Sequence, residues 1–188
     1  MQLSPRFSDA LTYATTLHAT QTRKGSGIPY ISHLLAVCAL VMEHGGDEDQ
    51  AIAALLHDAA EDQGGYATLT EIRTRYGDRV ARMVGELSDA FEIPKPPWRT
   101  RKETYLAHLL HTPADTLLVS LADKVHNARS ILADHTQIGD EIWNRFSQGR
   151  DGTLWYYRSL ANAFRELYPG YLSGELERIV ASLENIMP

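Results

Sequence analysis

The chain has 188 residues, 44% hydrophobic and 22% charged, with a formal net charge of −6, which is the make-up of one globular domain with a buried core. That negative balance excludes a broad basic footprint for double-stranded nucleic acid, and the single cysteine, Cys38, excludes an internal disulfide framework or a multi-cysteine zinc site. No run approaches the ~20 apolar residues that span a bilayer, and Met1–Arg6 lacks the charged-then-apolar pattern of a secretory signal, so a cytoplasmic protein with no membrane partner is expected.

Helical spacing dominates from the start. Ser4-Pro5 opens a helix with Phe7, Ala10, Leu11, Ala14 and Leu17 on one face. Gly25, Gly27 and Pro29 break the chain, and a second helix is predicted from about Ile31 to Glu43, stopping at His44-Gly45-Gly46. Cys38 lies inside it and reads as a small buried hydrophobe. A third helix, Glu48 to about Asp62, is nearly all apolar through Ala51–Leu56, so it belongs at the centre. Gly64-Gly65 ends it. Thr68 is expected to cap a short helix starting Thr68-Leu69-Thr70-Glu71, and another follows Gly77-Asp78 with Val80, Met83, Val84 and Leu87. The prolines of Ile93–Pro97 make that segment a loop or lid. Further helices are predicted near Trp98–His111, Pro113–Ala133, Asp140–Phe146, Thr153–Leu167 and Ser173–Ile186. No alternating run bounded by hairpin turns appears. The fold class is therefore all-α, a single-domain multi-helix bundle over residues 1–188.

The chemistry concentrates in His57-Asp58-Ala59-Ala60-Glu61-Asp62. On a continuous helix His57 stands over Glu61 and Asp58 over Asp62. Carboxylates at the end of an apolar helix cost several kcal/mol each if buried without partners. A divalent cation offsets that penalty, and mixed imidazole and carboxylate donors suit one. The solvated end of a helix would hold the same residues, so the reading turns on two further stretches. In Val119–Asn127, Asp123 interrupts a core-like run and Asn127 lies one turn on; taken alone, such an acid serves as well to cap a neighbour or pair with an arginine. In Pro29–Leu35, His33 taken alone reads as a satisfied core histidine. Its weight comes from company.

Together these stretches resemble the HD superfamily, whose pattern of a first His, a paired His-Asp and a distant Asp fits His33, His57-Asp58 and Asp123 in order. The sequence is most similar to the RelA/SpoT-type (p)ppGpp hydrolases and the stand-alone small alarmone hydrolases. Arg23–His33, Ala53–Asp62, Tyr76–Val84 and Leu121–Arg129 carry that resemblance, and Glu61-Asp62 is its specific part. It implies one divalent metal, usually Mn²⁺ in that family, bound by His33, His57, Asp58 and Asp123. Glu61 and Asp62 would handle the water and the leaving group. Arg23 and Lys24 would contact base and phosphate, and Asn127 the ribose side. The implied reaction is hydrolysis of a 3′ phosphoester, releasing pyrophosphate and GDP or GTP.

Beyond those motifs the match thins. The basic stretch Trp98–Lys102, with Arg101 and Lys102, would clamp outer phosphates, and Arg150 is a further candidate for the phosphate-bearing end; each also reads as a solvated charge. Trp155-Tyr156-Tyr157 is expected to pack the core. Gly25-Ser26-Gly27-Ile28 has no acidic residue before Pro29, which leaves guanine and adenine both open. The partner expected is a small pyrophosphorylated nucleotide. The competing readings are an HD phosphohydrolase of (p)ppApp or another nucleotide, and a non-catalytic HD module that binds a nucleotide or a partner protein.

Overall fold

The computed structural model describes residues 2–88 and 96–186, and the chain is all-α as expected. Among the described residues no strand forms; an isolated bridge pairs Thr22 with Pro29. Two compact units divide the chain, Met1–Ala122 and Asp123–Pro188.

The first unit runs α1 (Pro5–Leu17), α2 (Ile31–Glu43), α3 (Glu48–Leu56), α4 (Ala59–Gln63), α5 (Gly65–Tyr76), α6 (Asp78–Leu87) and α7 (Trp98–Leu109), and ends within α8 (Ala114–Ile138). Ser4 caps α1 by accepting the Arg6 N–H. The centre is α3, packed against α1, α2 and α6. Every residue from Ala51 to Leu56 is fully buried, and each of Ile52, Leu55 and Leu56 contributes roughly 1.5–3 kcal/mol by leaving water. Asp47 and Gln50 close a reciprocal capping box at the start of α3. Gln50 Nε2 also donates to the Asp115 carbonyl, while the Arg79 guanidinium bridges Asp47 and Asp115. Desolvation opposes ionisation of Asp115, but Arg79 and Arg82 outweigh it and hold its carboxyl below the usual range. This network fixes the end of α3 remote from His57. Burial pushes the Cys38 thiol up to about 12, so it packs as the small apolar side chain expected.

In the second unit the remainder of α8 is followed by a 3₁₀ segment (Gly139–Arg145), α9 (Gly149–Leu167) and α10 (Tyr171–Glu184). The last two pack on each other, burying Leu160, Phe164, Leu176 and Val180. Of the aromatic cluster expected to pack the core, Tyr156 and Tyr157 are buried and Trp155 is half-buried.

Several predicted boundaries move. The third helix does not run to Asp62: it stops at Leu56 and restarts at Ala59. Thr68 lies inside α5, and its hydroxyl donates to the Gln63 carbonyl, closing the end of α4 instead of capping a helix of its own. The segment near Asp140 is 3₁₀ because Gly139, at φ 59°, turns the chain out of α8. Helix α9 starts four residues early, with Thr153 hydrogen-bonded back to the Gly149 carbonyl. Ser173 sits in the first turn of α10 and accepts the Gly170 N–H. Of the predicted loop Ile93–Pro97, Ile93, Pro94 and Lys95 lie outside the described residues; Pro96 and Pro97 lead into α7 without regular structure. No helix among the described residues is long and apolar enough to cross a membrane.

Candidate metal centre

The break between α3 and α4 builds the site. Consecutive residues on a helix point about 100° apart and do not face each other. Yet His57 Nε2 lies 3.0 Å from Asp58 Oδ2. The backbone accommodates this at Asp58, where φ −95° and ψ −4° place it in the bridge region between helix and strand. His57 Nδ1 hydrogen-bonds the Ala54 carbonyl at 2.8 Å, an acceptor that an unbroken helix would use for the Asp58 N–H. Nδ1 is thereby the protonated nitrogen and Nε2 turns toward the carboxylate, the arrangement typical of a ligating histidine.

His33 arrives from the first turn of α2. Its ring meets His57 edge-on with centroids 5.2 Å apart, and its Nε2 is 3.7 Å from Asp58 Oδ2. Both histidines are buried, and Asp58 is half-buried. The chain before α2 forms a small hairpin. Arg23 N–H donates to the Ile28 carbonyl and Tyr30 N–H to that of Gln21, with Gly25 and Gly27 at φ 76° and 72° making the tip. The hairpin delivers Tyr30, whose hydroxyl donates to Asp58 Oδ2 at 2.5 Å. One ligand atom from each of His33, His57 and Asp58 lies within 4.8 Å of the others. Ligands ~2.1 Å from a shared ion are roughly 3–4 Å apart, so small side-chain rotations suffice. Two imidazole nitrogens and a carboxylate oxygen fit a borderline divalent cation.

Glu61 and Asp62 follow on α4. Asp62 is exposed in surface area, yet surrounding protein partly desolvates its carboxyl and is the largest cause of its raised pKa. A hydrogen bond from Gln21 works the other way, the Asp58 and Glu61 charges add to the rise, and His18 opposes it. Gln21 Nε2 donates to Asp62 Oδ2 at 2.8 Å.

The remaining sequence candidates distribute as follows. Arg23 lies over the Tyr30 ring, 5.9 Å from its centroid, and Lys24 is exposed at the hairpin tip. Arg101 and Lys102 sit half-buried across the first and second turns of α7, with Arg101 Nε donating to the Pro96 carbonyl. In the second unit Asp123 is 7% exposed; it accepts from Lys124 Nζ at 2.7 Å and Asn127 Nδ2 at 2.5 Å. Arg150 donates to the Ile186 carbonyl at 2.6 Å.

Three residues of this neighbourhood escape the sequence reading: His18, Gln21 and Tyr30. His18 is buried and stacks on Tyr30 with centroids 5.3 Å apart. A signal for it exists, since it continues the Ala10–Ala14 column of α1 at the next i+4 position. Gln21 carries no such pattern.

The sequence matches the HD-domain family over residues 10–154. It is 36% identical over 126 residues to guanosine-3′,5′-bis(diphosphate) 3′-pyrophosphohydrolase MESH1 of Xenopus tropicalis, covering 65% of this chain and 68% of that protein. The Homo sapiens protein of that name is 35% identical over the same shares. A guanosine-3′,5′-bis(diphosphate) 3′-pyrophosphohydrolase of Aquifex aeolicus is 36% identical over 125 residues, 65% of this chain but 17% of that protein. Among solved structures, a metazoan ortholog of SpoT that hydrolyses ppGpp superposes with a TM-score of 0.81 over 100% of this chain and 99% of its own. At 24% identity that is a likeness of fold. The protein lmo0812 from Listeria monocytogenes superposes at 0.70, with 28% identity over 84% of this chain and 99% of that one.

Proposed function

The chain belongs to the HD-domain family, and on that premise we propose that it is a metal-dependent phosphohydrolase that removes the 3′-pyrophosphate of (p)ppGpp. The observation that carries this reading is the buried convergence of His33, His57 and Asp58, next to the Glu61-Asp62 pair, in a chain whose relatives bear that activity in their names. We take residues 1–188 as one hydrolase domain, because the family match runs unbroken from residue 10 to 154.

The HD hydrolases imply a divalent cation, and we assign Mn²⁺ to His33, His57, Asp58 and Asp123. Support for Asp123 is its match to the family's distant Asp and its burial as an acid in an apolar helix. When bound, the cation lowers the pKa of water and offsets phosphate charge. Tyr30 keeps Asp58 turned toward the histidines through its hydroxyl. Glu61 and Asp62 move the protons: one carboxylate accepts a proton from the water that attacks phosphorus, and the other returns one to the 3′ oxygen as the P–O3′ bond breaks. Pyrophosphate and GDP or GTP leave. Arg23 and Lys24 on the hairpin, Arg101 and Lys102 on α7, and Asn127 and Arg150 in the second unit supply the polar contacts that a polyanionic nucleotide requires.

The test is to supply ppGpp and ppApp side by side to the purified protein with Mn²⁺. We expect pyrophosphate and GDP from ppGpp, abolished by EDTA. Release of orthophosphate alone, or no release from either nucleotide, would refute the assignment; pyrophosphate from ppApp alone would move the substrate to the adenine nucleotide.

A further inference from the structure

We propose that Gln21 is a positioning residue for Asp62, with its side-chain amide locked in one orientation by His18 and Gln63. The proposal rests on the reading of Asp62 as a proton-moving carboxylate.

Gln21 Nε2 donates to Asp62 Oδ2 at 2.8 Å. Gln21 Oε1 receives Gln63 Nε2 at 2.6 Å and lies 2.6 Å from His18 Nδ1. An ionised carboxylate only accepts hydrogen bonds. The amide end facing Asp62 is therefore the NH₂, the opposite end is the carbonyl oxygen, and His18 must carry its hydrogen on Nδ1. The His18 ring is 2% exposed and stacked on Tyr30, so packing holds it in that orientation. Its Nε2 is buried and has no hydrogen-bond partner among the described residues. Leaving a ring nitrogen so placed costs stability; what the fold gains is a fixed donor from Nδ1 to Gln21.

Gln21 also reaches the other acid of the site. Its main-chain carbonyl receives the Tyr30 N–H at 2.9 Å, and Tyr30 donates to Asp58. One residue on the loop after α1 thus ties Asp62 directly and Asp58 through Tyr30. An exposed carboxylate without such a tie samples several rotamers, and a displacement of about 1 Å costs up to ~100-fold in rate.

The experiment compares wild type, Gln21→Leu, Asp62→Asn and the double variant on ppGpp with Mn²⁺. Gln21→Leu keeps the volume and removes both polar ends. We expect kcat to fall about ten-fold with KM within roughly two-fold, and metal content to stay unchanged. In the Asp62→Asn background the same change should alter kcat by less than about two-fold, because Gln21 acts through Asp62. A separate readout is imidazole ¹⁵N NMR of the metal-free protein at alkaline pH, which should find His18 as the Nδ1–H tautomer in wild type and lose that preference in Gln21→Leu. If Gln21→Leu fails to fold, Gln21→Met serves. Wild-type kcat in an active, folded Gln21 variant, equal losses in both backgrounds, or an Nε2–H tautomer for His18 overturns the proposal alone. An inactive wild type overturns the hydrolase reading, and this proposal with it.

Discussion

Two helices of this protein carry an acid within an apolar run, and they fold around it in different ways. In α8, Asp123 follows the buried Leu117–Ala122 and the helix continues to Ile138. That acid is held by its own helix, through Lys124 and Asn127. At the end of α3 the helix stops after Leu56, resumes at Ala59, and Asp58 is held from outside by Tyr30. The difference lies in what must face inward. One acid can leave a helix at any angle, so α8 stays intact. An imidazole and a carboxylate on consecutive residues cannot share a direction without unwinding the backbone between them. A break at His57-Asp58 is thus the geometric condition for two adjacent donors to meet.

The hardest way to break this contrast is Asp58→Ala. If the broken helix exists to make a ligand set, the substitution should empty the site, read by elemental analysis, and lower pyrophosphate release on the order of a thousand-fold or more. Full metal occupancy in that variant would mean that the break serves packing. Next in size is Glu61→Gln, one turn beyond the break. It removes a proton carrier and no donor of the cluster, so metal content should hold while kcat falls roughly 10²–10⁴-fold. Unchanged turnover would strike Glu61 from the mechanism.

The contrast also separates what a sequence can tell from what it cannot. Apolar spacing alone locates α1, α2 and α6, and the proline and glycine positions locate the turns between them. His33, His57 and Asp58 come together as the family resemblance implies. The break between α3 and α4 is invisible in sequence, because Glu48–Asp62 holds no glycine or proline and each residue tolerates a helix. It is enforced by partners 28 residues away, through Tyr30, and by the Ala54 carbonyl. Thr68 misleads for a related reason: its hydroxyl has a better acceptor in the Gln63 carbonyl than any amide of its own turn. Gln21 and Gln63 are neutral polar residues with no periodicity, and only the folded chain makes them a pair.

A subtler probe is Asp123→Asn, which keeps the shape of α8 and its bond to Asn127 while removing a charge. Should Asp123 belong to the ligand set, metal affinity falls on the order of 100-fold or more, beyond the loss for an outer partner of a ligand. Unaltered affinity would leave His33, His57 and Asp58 as the whole set from this chain.

The smallest effect tests the two modes of holding an acid. Tyr30→Phe removes one hydroxyl from Asp58 and keeps the ring that His18 stacks on. That hydroxyl helps to aim Asp58 from another element, at a turn that lacks a regular helix to restrain it. Its loss should weaken metal binding about ten-fold, the lower end for an outer partner of a ligand. Lys124→Ala is the matching change on α8, where the continuous backbone and Asn127 still restrain Asp123. There we expect a change in metal affinity of less than about three-fold, near the limit for a partly exposed ion pair. Titrating both variants with Mn²⁺ under one set of conditions decides it. Equal losses would show that the two acids are held alike, and that the break at His57-Asp58 does no more than turn the chain.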